Sequence, residues 1–183
     1  MSSARRHCYG GPTSYGYYPR NSFTIVPAEN QDASNPRPYG VCQARKLWAS
    51  YGWRNYSTVG TDFGAIKLDC NIGSRTGYWG MVGAPSLVGH QSVVTGYPID
   101  KPSGTMWRSV DTVQRQTTYQ LFFGNDVWPG MSGSPVYRTG TTGCNMCAIA
   151  VLSAKANPPG EPLNRGPRLT EERRRTLWRI AHQ

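Results

Sequence analysis

The nine residues Trp128-Pro129-Gly130-Met131-Ser132-Gly133-Ser134-Pro135-Val136 constrain this chain more than any other stretch. A serine set between glycines that lead into a short strand is a way to hold a hydroxyl out from a tight turn. Gly130 permits backbone angles closed to other residues, so the amides of Gly130 and Ser132 can face one hollow as an oxyanion hole. The Ser132 hydroxyl then sits at its mouth. Gly, Ser and Pro are also ordinary turn residues, and the stretch alone does not separate a catalytic elbow from a plain turn.

Serine is a weak nucleophile at neutral pH and needs a base within hydrogen-bond reach, itself oriented by a carboxylate. The chain has three histidines: His7, followed by Cys8; His90, in a loop; and His182, next to last. Asp62 opens the run Thr61-Asp62-Phe63-Gly64-Ala65-Ile66-Lys67-Leu68, which reads as a loop entering a buried strand. In the order His7, Asp62, Ser132 the candidates follow the chymotrypsin chain order, not that of subtilisin or the α/β-hydrolases.

At this point the sequence resembles the glutamyl endopeptidases, secreted serine proteases of the chymotrypsin fold. The resemblance is carried by His7-Cys8, Phe23-Thr24-Ile25-Val26-Pro27, Pro38-Tyr39-Gly40-Val41-Cys42, Asp62 to Leu68, Val94-Thr95-Gly96-Tyr97-Pro98, Gly104-Thr105-Met106-Trp107, Gly130 to Tyr137 and Asn164-Arg165-Gly166-Pro167-Arg168-Leu169. It implies an all-β chain of two antiparallel β-barrels with a C-terminal α-helix: residues 1–88 as the first barrel, 89–169 as the second, and 170–183 as the helix. It also implies His7 as general base, Asp62 as its orienting carboxylate and Ser132 as nucleophile, acting on protein or peptide substrates without metal or other cofactor. The family pattern places a strand before the histidine, whereas here Arg5 and Arg6 precede His7, so the first barrel is expected to lack its opening strands. A catalytically inactive relative kept as a binding module, or an inactive fragment, is the alternative.

The five cysteines fit this picture. Cys144 and Cys147 form a Cys-x-x-Cys that alone could be a redox pair or half a metal site, but no second pair completes a zinc set. The family carries a small disulfide loop just after the nucleophile strand, which implies a Cys144–Cys147 bridge. Cys42 and Cys70 flank the same barrel and are expected to form a second bridge, leaving Cys8. Together with the resemblance, the cysteines point to an extracellular protein, although no secretory signal is visible in this chain.

Charged residues make up only 16% of the chain, while Gly (21), Pro (14) and Tyr (11) abound, which favours short strands and tight turns. Strands are expected over residues 23–26, 41–48, 62–68, 92–97, 105–108, 118–123, 134–137 and 147–152. Thr170 can cap a terminal helix with Glu171 and Glu172 at its positive end. The formal charge of +10 is densest there, at Arg165, Arg168, Arg173, Arg174, Arg175 and Arg179. No stacking platform or nucleic-acid module accompanies it, so nucleic acid is not an expected partner. No apolar run is long enough to span a membrane, and a monomer is expected.

The walls beside Ser132 should set specificity. Asp126, six residues before it, stands where trypsin-like enzymes keep the carboxylate that binds Lys or Arg, but some glutamyl endopeptidases also have aspartate there. In the family, a histidine follows the strand equivalent to Ala148-Ile149-Ala150-Val151 and helps bind the substrate glutamate. This chain has Leu152 at that position, then Ser153, Ala154 and Lys155. Leu152 removes a hydrogen-bond donor, Ser153 remains as a pocket hydroxyl, and Lys155 either restores positive charge or points to solvent.

Overall fold

The computed structural model describes residues 18–182. His7, Cys8 and most of the N-terminal loop therefore lie outside the described residues. Strands β1 (Thr24–Ile25), β2 (Cys42–Ala49) and β3 (Gly64–Leu68) form an antiparallel sheet in the order β1-β2-β3. Strands β4 (Gly80–Met81), β5 (Gln91–Gly96), β6 (Trp107–Gln116), β7 (Gln120–Phe123), β8 (Pro135–Thr141), β9 (Cys144–Val151) and β10 (Asn164–Pro167) form a second sheet, in the order β10-β7-β6-β5-β8-β9-β4. Its pairings are antiparallel except β4 with β9. Isolated bridges from Ala150 to Arg168 and from Ala154 to Arg165 draw the β10 end of the sheet back toward β9.

Apolar burial concentrates in this larger sheet. Leu87, Val94, Leu121, Phe123, Val136 and Ile149 are all 0% exposed and pack in one cluster. The smaller sheet buries less: every residue of β3 is half-buried, and the Cys42–Cys70 disulfide joins the start of β2 to the segment after β3. The second expected bridge, Cys144–Cys147, is also present, within the first four residues of β9.

Helices α1 (Tyr51–Tyr56), α2 (Gly73–Thr76) and α3 (Glu171–Ala181) complete the fold. Only α3 was expected. Thr170 caps it, its hydroxyl oxygen accepting from the Arg173 amide at 3.3 Å. The unforeseen α1 begins because Ser50 ends β2 and its hydroxyl accepts from the Trp53 amide at 3.2 Å; Ser57 stops it in a left-handed conformation. Strand β6 runs well beyond the expected residues 105–108, since its outer positions are polar and no apolar run reveals it. Strand β10, with its glycine and proline, had no strand signature at all and forms through pairing with β7.

Candidate active site

The turn that opens β8 is tied at both ends. The Met131 amide donates to Trp128 O at 3.1 Å and the Ser134 amide to Met131 O at 2.9 Å, closing two tight turns around Ser132. Met131 is buried in the core and anchors the loop, leaving Ser132 half-buried between an inward and an outward neighbour. Gly130 has φ +98°, and a Cβ there would lie 2.8 Å from both Tyr97 O and Ile99 Cγ2. The Ile99 amide in turn donates to Pro129 O at 3.0 Å. Only glycine meets both conditions, and the Gly130 amide has no acceptor among the described residues.

The loop is then stitched to the end of β9. The Gly133 amide donates to Leu152 O at 2.8 Å, and the Leu152 amide returns a bond to Ser134 O at 2.9 Å. The next residue, Ser153, is held by its own amide on Arg165 O at 3.1 Å. Its hydroxyl donates to Asp62 Oδ2 at 2.5 Å. Asp62 lies just past the 3-10 turn Val59–Thr61, on the way into β3. A carboxylate from the smaller sheet and the serine loop of the larger one are thus joined through two consecutive residues, Leu152 and Ser153.

No protein-family profile matches the chain. It is 32% identical over 169 residues to the glutamyl endopeptidase of Bacillus licheniformis, covering 91% of this chain and 52% of that protein. The chain is a homologue of glutamyl endopeptidase. It is also 35% identical over 155 residues to the extracellular metalloprotease of Bacillus subtilis strain 168, covering 81% and 46% respectively. The chain spans about half the length of the curated relatives it matches. A solved Glu endopeptidase bound to MPD superposes with a TM-score of 0.83 at 23% identity, covering 97% of this chain and 79% of that one. The protease Anisep of Arthrobacter nicotinovorans gives 0.75 at 17% identity, covering 100% and 86%. The fold of this glutamyl endopeptidase homologue is that of the chymotrypsin-like proteases.

Asp126 is exposed, its amide donating to Ser109 Oγ at 2.9 Å. Its neighbour Asn125 is the anchor of that loop, 2% exposed, with its side-chain amide donating to Ser92 O (2.9 Å) and Ser109 O (3.0 Å). Nothing in the sequence set Asn125 apart from an ordinary loop residue. Leu152 is 3% exposed and belongs to the core cluster. Ser153, read from sequence as a pocket hydroxyl, is committed to Asp62. Lys155 is exposed but does not simply extend into solvent: its ammonium sits 3.8 Å from the Trp128 ring centroid, two residues from Gly130. Beside Gly130, burial and then the charge of Glu29 hold the Tyr97 phenol above its ordinary pKa, and its hydroxyl donates to Glu29 O.

Proposed function

We propose that the chain carries the catalytic unit of an extracellular serine endopeptidase that works through an acyl-enzyme. Ser132 Oγ attacks the scissile carbonyl carbon while His7, which lies outside the described residues, takes the hydroxyl proton and passes it to the leaving amine. Water, deprotonated by the same imidazole, then releases the acyl group. Asp62 fixes the imidazole's tautomer, and the Gly130 and Ser132 amides donate to the oxyanion. The observation that carries this reading is the 2.5 Å bond from Ser153 to Asp62, because it ties the carboxylate to the strand end that also holds the serine loop.

The name of the Bacillus subtilis relative points to metal chemistry. Among the described residues, the only cluster with metal-type side chains is Cys42, Asp69 and Cys70, and its two sulfurs are joined in a disulfide, so that cluster does not fit a metal ion. Extracellular residence is supported by the two disulfides and by that relative's name. The test is incubation with a fluorophosphonate followed by peptide mapping. One adduct on Ser132, absent from Ser132→Ala, supports the enzyme. A folded protein that takes no adduct favours an inactive binding module instead.

A further inference from the structure

Arg173 stands in the first turn of α3, a helix to which the proposed reaction gives no part. Its side chain is turned inward and the residue is 7% exposed. Its guanidinium donates only to backbone carbonyls: Nη1 to Tyr119 O (3.0 Å) and Arg168 O (2.8 Å), and Nη2 to Gly60 O (2.7 Å). The guanidinium also lies over two rings, 4.8 Å from the Phe63 centroid and 5.2 Å from that of Tyr119.

These partners fall on two sides of a junction. Gly60 and Phe63 bracket Asp62, two residues before it and one after. Tyr119 leads into β7 and Arg168 bridges Ala150 of β9, so both belong to the larger sheet. The Gly60 backbone packs directly against the Tyr119 side chain here, since a Cβ at Gly60 would lie 2.9 Å from Tyr119 Cβ. A buried guanidinium is costly, and an apolar side chain would fill the same space more cheaply. What an apolar side chain cannot do is hold two backbones in one plane through a rigid fork of donors.

We infer that Arg173 is a positioning residue for Asp62, fixing the loop of the smaller sheet against the larger one so that the carboxylate keeps its alignment. The inference rests on the triad reading above. Ser153 holds the carboxylate itself; Arg173 holds the backbone before it at Gly60 O and covers the ring of Phe63 just after it. A triad tolerates displacements of only about 0.5 Å, and a bond to the carboxylate does not by itself fix the backbone that carries it. Lysine at this position keeps the charge but loses the planar fork.

The test is the rate and affinity of fluorophosphonate labelling, kinact and KI, as a function of pH for the full chain and for Arg173→Lys. We expect kinact to fall about tenfold with KI within about twofold. The apparent pKa of the rate should move down, because an imidazolium that loses an aligned carboxylate is less favoured. In an Asp62→Asn background the same substitution should cost less than about twofold, since the two act as a unit. A purely structural Arg173 would lower the melting temperature and leave kinact and its pH limb as in wild type, and that result overturns the inference. So does an equal loss in the Asp62→Asn background. If Arg173→Lys does not fold, Phe63→Leu, which keeps apolar volume and removes the ring face, carries the test: a lower kinact at unchanged KI supports the inference, and an unchanged kinact overturns it. Ser132→Ala separates the two levels: an adduct that persists in it defeats the triad reading itself.

Discussion

Gly130→Ala is the sharpest local perturbation of the serine loop. The substitution meets two separate penalties. At φ +98° an L residue is strained, at a cost of about 1–2 kcal/mol. Its Cβ would also lie 2.8 Å from Tyr97 O, a backbone atom, so the turn at residues 97–99 must move. That movement pulls on the bond from the Ile99 amide to Pro129 O, worth about 1 kcal/mol. Together these are about 2–3 kcal/mol, which for a chain of this size is a fall in melting temperature of roughly 4–12 °C. The effect on chemistry should be larger. On the proposed mechanism, relief of the contact swings the Gly130 amide out of the oxyanion hollow, and loss of one oxyanion donor costs about 10²–10³ in rate. Calorimetry and fluorophosphonate labelling measure the two parts. Gly143→Ala is the control, with φ +77° but open space around the added methyl; it should show strain alone and label normally. If Gly130→Ala melts and labels like Gly143→Ala, the contacts with Tyr97 and Ile99 do not constrain residue 130.

Three further outcomes follow from other parts of the molecule. Ser153→Ala removes a donor to a carboxylate, worth about 1.5–3 kcal/mol, so labelling should slow by roughly tenfold or more; an unchanged rate would detach Ser153 from the reaction. Arg174 first, then Arg175, hold the Glu171 carboxyl down from 4.5 to about 2. A depressed acid stabilises the fold above its unfolded pKa and loses that contribution as pH falls through the folded one. The stability difference between wild type and Glu171→Gln should therefore be constant above pH 4.5, fade between there and about 2, and shrink in high salt; a difference that persists at pH 2 contradicts the pairing. On the chain-entropy account, removing the Cys42–Cys70 bridge, which spans 28 positions, should cost about 3.5 kcal/mol, and removing Cys144–Cys147, which spans 3, only about 2 kcal/mol. Denaturant melts of the two double-alanine variants that come out in the reverse order would refute that ranking.

The parts of the fold legible in sequence were those where chemistry shows in single residues. The serine turn, the apolar strand before Leu152 and the Thr170 cap announce themselves through glycine, continuous hydrophobicity and a hydroxyl ahead of two acids. Both disulfides followed from the family resemblance and the flanking of one barrel. Strand β6 was mostly hidden because one face is wet and its polar residues interrupt any apolar run, and β10 because its strand character comes from its partner. The bond from Ser153 to Asp62 was hidden for a different reason. It spans 91 positions, and no local pattern marks a hydroxyl that serves a carboxylate on another sheet. Arg173 likewise reads as one more basic residue in Arg173-Arg174-Arg175, and only the fold shows that it points inward while Arg174 and Arg175 pair with Glu171.

The proposed relay from Ser132 through an imidazole to Asp62 can be tested without a substrate. An imidazole N–H held by a carboxylate gives a strongly downfield proton resonance, and the chain has three histidines whose signals can be assigned by replacement. Such a resonance should be present in the wild type, persist in His90→Gln and His182→Gln, and vanish in both His7→Gln and Asp62→Asn. A downfield proton that survives Asp62→Asn, or that belongs to His90 or His182, would contradict the account.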